Sequence, residues 1–254
     1  MDETEYTEAK DRFLGQIQKT PEEINEIEYF TRNQANSDLW YLERRKRLTA
    51  SFFGLVCRRN KNTTSCKSLV ESIIYPKQFY SAACDYGKKN EIIAVEQLER
   101  QIGKKIKPCG LFISNEHYFL AASPDGLIED LGIVEIKCPY SARDLTPDEG
   151  IRQRKITFWL RNGDINKKHK WYYQIQGQLH VTHRSYCVFA VWTPHGMKSE
   201  TMFHDTTFWS TSMEPLLCKF YLNCLLPELV DSRRARNMPI KDPDYIIKAI
   251  QEKS

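Results

Sequence analysis

The chain has 254 residues, 41% of them hydrophobic and 28% charged, with a formal net charge of +4. That length and apolar content support a sizeable buried core, most simply one α/β domain with a helical addition, and exclude a peptide-sized module. No stretch approaches the ~20 consecutive apolar residues that span a bilayer, and the charge is too mild to announce nucleic-acid binding by composition alone.

The acidic start, Met1-Asp2-Glu3-Thr4-Glu5, lacks the basic and apolar parts of a secretion signal, so an intracellular protein with no membrane partner is expected. Its eight cysteines are scattered without a CxxC pair or a Cys and His spacing suited to zinc or an iron–sulfur cluster, and they read as thiols in a reducing compartment.

Residues 1–36 are polar and mixed in charge and read as a helical lead-in. Pro21-Glu22-Glu23 is a helix start, and Ile24, Ile27 and Phe30 form a thin apolar stripe. Arg44-Arg45-Lys46-Arg47 then places four cations directly before Leu48-Thr49-Ala50-Ser51-Phe52-Phe53. Thr49 or Ser51 can cap a helix containing Phe52, Phe53 and Val56, which brings hydroxyls and open backbone N–H groups close to guanidinium groups. That combination makes a phosphate seat. Arg58, Arg59 and Lys61 prolong the basic region. Residues 86–98 carry helical periodicity, with Ile92 and Val95 facing a core and Glu91 in the first turn on the inward side.

Residues 110–114 and 117–122 read as two strands around Asn115-Glu116, leading into the turn Ser123-Pro124-Asp125-Gly126 and a third strand, Gly132-Ile133-Val134-Glu135-Ile136-Lys137. An antiparallel meander is the simplest arrangement of the three. Strand alternation sends Glu135 and Lys137 to one face and Val134 and Ile136 to the other, so an Asp at the neighbouring turn can face the Glu and the Lys. Two carboxylates and an ammonium converging on one point make a hard-oxygen site for Mg²⁺ or Mn²⁺ with an amine left to position water, which is equipment for cleaving phosphodiesters.

Residues 141–170 read as a loop with helical pieces. Residues 171–180 form a helix with Gln174 and Gln178 on one face, four apart, which call for a partner such as a phosphate or a metal-bound water. The near-continuous apolar run 185–192 is a central strand, 200–204 an edge strand, and 208–229 a long amphipathic helix, with a basic, polar tail after it.

A helix with Glu91, strands, the Asp125 turn, Glu135-Ile136-Lys137 and a helix with Gln174 stand in the order of the PD-(D/E)XK nuclease core, an α/β fold with a central mixed sheet flanked by helices. More narrowly the chain resembles the lambda-exonuclease and YqaJ viral recombinase family. The matching residues are Leu48-Thr49-Ala50-Ser51, Gly87 with Asn90-Glu91 and Ala94, Ser123-Pro124-Asp125-Gly126, Val134 through Ser141, Arg143-Asp144 and Tyr172 through Gln176.

The resemblance implies a 5′-to-3′ exonuclease acting on double-stranded DNA ends, using Mg²⁺ or Mn²⁺, in two-ion form. Asp125, Glu135, the Ile136 carbonyl and Glu91 would be metal ligands, Lys137 would activate the attacking water, and Gln174 would steady the site. Arg44, Ser51 and Thr49 would bind the terminal 5′-phosphate, with Arg58 or Arg59 offered as a second phosphate-binding arginine and the inward member of the cation run left open. The resemblance also implies a homotrimer ring, a single-strand annealing partner and action in the nucleus or cytoplasm, of a host cell if the protein is viral. The competing readings are an endonuclease of the same core and a catalytically silent DNA-binding module. The expected organisation is a lead-in over 1–36, the nuclease domain over 37–230 and a polar tail over 231–254.

Overall fold

The structure, a computed structural model, describes residues 2–59, 64–76 and 81–252. Helix α1 (Glu3–Ile17) and helix α2 (Pro21–Phe30) each begin with a capping box, on Asp2 and on Thr20, and Pro21 takes the first-turn position of α2 where its missing N–H costs nothing. Ile24 and Ile27 of α2 are buried, but Phe30 is 64% exposed, so the apolar stripe is one residue shorter than expected. Helix α3 (Asp38–Arg45), capped by Ser37, leads through strand β1 (Leu48–Thr49) into helix α4 (Ala50–Cys57), followed by helix α5 (Lys67–Ile74) and the 21-residue helix α6 (Ala82–Ile102).

The expected meander does not form. Strands β2 (Phe112–Ile113) and β3 (Leu120–Ala122) are antiparallel neighbours, but β3 pairs on its other side with β1, in parallel, and makes a separate three-stranded sheet. Strand β4 (Gly126–Ile128) instead forms the hairpin with strand β5 (Gly132–Lys137), in register Gly126 to Val134. The meander failed because the Ser123-Pro124-Asp125 turn separates the two sheets.

After a short helix α7 (Pro147–Arg152) and helix α8 (Lys170–Thr182), the buried strand β6 (Tyr186–Thr193) lies parallel to β5, and strand β7 (Gly196–Phe203) is antiparallel to β6 at the edge. The four-stranded order β4-β5-β6-β7 is a mixed sheet. Ala94 and Leu98 of α6 pack with Val134, Ile136, Val188 and Ala190 on one face, while Ile175 and Leu179 of α8 pack with Ile133, Cys187 and Phe189 on the other. Ile92, by contrast, is 70% exposed: α6 starts at Ala82, and the helix turns Ala94 and Leu98 inward in its place.

Helix α4 crosses α8 closely at two glycines. A Cβ on Gly54 would lie 2.6 Å from the Lys170 carbonyl oxygen, and one on Gly177 would lie 2.2 Å from the Phe53 ring. This crossing fixes α8 against the three-stranded sheet as well as the four-stranded one. The region 206–230 is helical as expected but not uniform. Three α-helical pieces, α9 (Thr206–Phe208), α10 (Glu214–Phe220) and α11 (Leu226–Val230), are joined by wide π turns over Trp209–Met213 and Tyr221–Leu225. Pro215 and Pro227 open α10 and α11 and cannot donate back along the helix, which is where the ladder loosens. The last helix, α12 (Asp244–Gln251), buries Ile246 in the same core that receives Ile17 of α1. Among the described residues no helix is long and apolar enough to cross a membrane.

Candidate active site

The β4-β5 hairpin and helix α8 bring the predicted residues together. Glu135 leaves the middle of β5 on the α8 face, as the period-two pattern requires, and is only 1% exposed. Both of its carboxylate oxygens are used. Oε1 accepts from the Lys137 ammonium and from Gln174 Nε2 at 2.7 Å, and Oε2 accepts from Gln178 Nε2 at 2.6 Å. The glutamines expected to meet a phosphate or a metal-bound water therefore meet the Glu135 carboxylate itself. Gln178, which the motif order did not single out, is the more buried of the two, and its Oε1 has no hydrogen-bond partner. Its signal was the four-residue spacing from Gln174, which puts both amides on one helix face.

Asp125 stands at the turn before β4. Its N–H donates to the Val134 carbonyl at 3.0 Å, and its Oδ2 accepts from the Ile136 N–H at 2.6 Å. Ile136, expected to offer a carbonyl, thus also fixes the aspartate through its amide. Burial first, then the Glu135 and Glu91 carboxylates, hold the Asp125 carboxyl well above the usual aspartate range, against the pull of Lys137 and the Ile136 amide. Burial works against the Lys137 ammonium, but Glu135, Asp125 and Glu91 outweigh it and raise its pKa.

Glu91 of α6 lies close enough to Glu135 and Lys137 to feel the charge of both. It lies in the third turn of that helix, not the first, so an N-terminal dipole partner is not its role. Burial and Glu135 raise its carboxyl, with Lys137 opposing. Three carboxylates against one ammonium leave an excess of negative charge, and a divalent cation held by oxygen donors relieves that excess. The donor set fits Mg²⁺ or Mn²⁺.

The basic run divides its labour. Arg47 is the inward member: its guanidinium is fully buried, bonded to the Glu43 carboxylate and donating to the carbonyls of Ile17 at 2.7 Å, Tyr118 at 2.8 Å and Glu43 at 3.1 Å. Arg44 lies over the Trp40 ring at 4.0 Å, and among the described residues no carboxylate or carbonyl is bonded to it. Burial pushes its guanidinium down to about 10. Arg44, Arg45, Thr49 and Lys88 line a cavity of about 310 Å³ with Trp40 and Phe52. Thr49 occupies the cap position of α4, but no side chain bonds the helix N–H groups there. Its hydroxyl meets that of Ser51 at 3.2 Å instead, and Ser51 does not line the cavity. Arg58 and Arg59 follow the other end of α4, and Lys61 lies outside the described residues.

Two residues outside the expected set tie this cavity to the carboxylates. Trp40 Nε1 donates to Ser123 Oγ at 2.9 Å, and Gln34 Nε2 donates to the Pro124 carbonyl at 2.9 Å, so the end of the lead-in and helix α3 together brace the turn that carries Asp125. No local pattern marks either contact, since the partners are more than 80 residues away.

The arrangement of sheets and helices is shared with solved structures. An alkaline exonuclease from Laribacter hongkongensis, LHK-Exo, aligns with a TM-score of 0.61 at 20% identity, over 79% of this chain and 98% of that one. The same enzyme in complex with dAMP aligns with a TM-score of 0.61 at 21% identity, over 79% and 99%. A phage-related exonuclease from Haemophilus somnus 129PT aligns with a TM-score of 0.47 at 13% identity, over 82% and 96%. No curated protein matches the chain. The fold is thus the PD-(D/E)XK core expected from the motif order. The sequence model of the YqaJ-like viral recombinase domain covers residues 39–185, more than half of the chain, from the Trp40 brace through the Asp125 turn and α8 to the start of β6, and the chain belongs to that family.

Proposed function

We propose that the protein is a metal-dependent nuclease that degrades double-stranded DNA from 5′ ends. The observation that carries this reading is the meeting of Asp125, Glu135 and Lys137 at one hairpin, with Glu91 across from them. Asp125, Glu135, Glu91 and the Ile136 carbonyl would hold Mg²⁺ or Mn²⁺, in a two-ion arrangement. Such an ion would lower the pKa of a bound water and offset charge on the phosphoryl oxygens.

The protein's own residues do the remaining work. Gln174 and Gln178 hold the Glu135 carboxylate in one orientation, and the Ile136 amide does the same for Asp125. Lys137 is the counterion of Glu135 in the resting site. Its ammonium, beside the carboxylates, would hold and orient the attacking water. Arg44, which has no anionic partner among the described residues, and the uncapped N-terminus of α4 at Thr49 and Ser51 would seat the terminal 5′-phosphate. Work inside a cell, assembly as a ring of three subunits and cooperation with a single-strand annealing protein belong to the same proposal, and light scattering of the purified protein with and without duplex tests the ring.

The deciding experiment incubates the protein with Mg²⁺ and linear duplexes that differ only in carrying a 5′-phosphate or a 5′-hydroxyl, beside closed circular DNA. Release of nucleotides from the phosphorylated linear duplex, with the circle intact, is expected. Cutting of the circle identifies an endonuclease, and binding without cleavage a silent module. Asp125→Ala, Glu135→Ala or Lys137→Ala should each abolish cleavage with the fold retained, and full activity in any of them removes that residue from the site.

A further inference from the structure

One side chain links the cavity beside Arg44 to the turn that carries Asp125. Arg44 and Trp40 both line that cavity, and the guanidinium lies over the Trp40 ring at 4.0 Å. The indole has a single donor, and it is spent on Ser123 Oγ at 2.9 Å. Ser123 stands two residues before Asp125, whose Oδ2 accepts from the Ile136 N–H at 2.6 Å. From the guanidinium to the aspartate there are thus two side-chain contacts and two peptide bonds.

Gln34 supplies a second, independent observation. Its φ of 42° lies in the left-handed region, which a residue with a Cβ adopts at a cost. From that backbone its amide donates to the carbonyls of Cys109, at 3.0 Å, and Pro124, at 2.9 Å. A strained residue persists where its surroundings fix it, and here they include the turn before Asp125. The β4-β5 hairpin already holds that turn, through the Asp125 N–H on the Val134 carbonyl and the pairing of Gly126 with Val134. The additional hold comes from residues 34–40, which also supply Ala35 and Trp40 to the cavity wall. A brace for stability alone needs no residue in common with the cavity, and Trp40 belongs to both.

We propose that Trp40 is a positioning residue that ties cleavage to an occupied end cavity. A terminal phosphate drawn to Arg44 fixes the guanidinium against the indole face, the indole fixes Ser123, and the turn then keeps Asp125 on the Ile136 amide. A 5′-hydroxyl end gives Arg44 no anion, and the turn is held by less. The inference rests on the reading of this cavity as the 5′-phosphate seat. It adds that the phosphate acts on turnover as well as on binding, because binding energy from a part of the substrate that does not react is used at the reacting centre. The sequence carries no mark of the link, since Trp40 and Ser123 are 83 residues apart.

The test compares kcat and KM of the full-length wild type and Trp40→Phe in Mg²⁺, on duplexes with a 5′-phosphate or a 5′-hydroxyl. Phenylalanine keeps an aromatic face under Arg44 and removes the N–H. On the phosphorylated duplex kcat should fall about tenfold, the weight of one hydrogen bond, while KM and the kcat on the hydroxyl duplex stay within about twofold of wild type. Ser123→Ala, at the other end of the bond, should do the same, and the double variant should be no worse than either. Amide hydrogen exchange in chelator reads the link without cleavage. A phosphorylated duplex should slow exchange at Asp125 and Ile136 more than a hydroxyl duplex does in wild type, and no more than it in Trp40→Phe. A kcat loss equal on both ends, a rise in KM with kcat unchanged, additive variants, or phosphate-dependent protection that survives in Trp40→Phe would each overturn the proposal. A wild type that cleaves neither duplex would refute the nuclease reading, and the exchange measurement would then decide the link by itself. Should Trp40→Phe fail to fold, Ser123→Ala carries the same comparisons.

Discussion

Replacing Arg47 by Met should unfold the protein more easily without touching chemistry, although Arg47 sits in the same cationic run as Arg44. Its guanidinium is fully buried and serves four acceptors, the Glu43 carboxylate and the carbonyls of Ile17, Tyr118 and Glu43. Methionine fills much of the space but leaves Glu43 with Lys46, at 2.7 Å, as its remaining cation, and strips a donor from three carbonyls. Removing one partner of a buried pair costs about 3–5 kcal/mol, and total stabilities are about 5–15 kcal/mol. For a chain of this size that corresponds to about 10 °C in melting temperature. Urea titration followed by circular dichroism, on Arg47→Met beside Arg44→Met, is the assay. Among the described residues Arg44 has only its contact with the Trp40 ring to lose, worth about 1 kcal/mol, and its release from a desolvated site offsets that. Arg44→Met should therefore melt within about 2 °C of wild type while losing preference for 5′-phosphorylated ends. A loss below about 1 kcal/mol for Arg47→Met would show that its guanidinium is not the structural member of the run.

Gln178→Leu removes a charge-assisted donor from Glu135 together with an amide oxygen that has no partner, so kcat should fall about 10–100-fold with little change in stability. Activity within twofold of wild type would deny Gln178 its positioning role. In chelator, the raised Asp125 carboxyl keeps a proton in the folded protein that the unfolded chain has released. Its contribution to stability is therefore lost as pH rises from the ordinary aspartate range of about 4 upward, and Asp125→Asn should flatten that decline in melting temperature. Equal pH dependence in both proteins would contradict it. Gly177→Ala forces a methyl group to within 2.2 Å of the Phe53 ring and should cost about 1–3 kcal/mol by thermal melt, despite alanine's better helix propensity. An unchanged melt would mean that α4 and α8 can move apart freely.

Several features were legible because they depend on local periods alone. Alternation along Gly132–Lys137 is enough to put Glu135 and Lys137 on one face, and the apolar run of β6 is enough to make it central. The four-residue spacing of Gln174 and Gln178 put them on one face, and Pro21-Glu22-Glu23 marked the start of α2. Where the reading went astray, the deciding partner was distant. Nothing near Ile92 says that α6 begins at Ala82, four residues before its periodic stretch, and turns Ala94 and Leu98 inward. Nothing near β3 says that it will pair with Leu48-Thr49 and not with β5.

Sequence by itself thus determined the donors: three carboxylates, an ammonium, two amides and a cluster of cations, in an order that names the family. Only the tertiary structure decided their pairing. It gave the glutamines to Glu135, chose Arg47 for the interior and left Arg44 without an anion among the described residues, and it drew Trp40 and Gln34 onto the Asp125 turn. Side-chain direction follows from the backbone's own repeat, whereas the choice of partner for a buried charge is settled by which elements pack together across the chain.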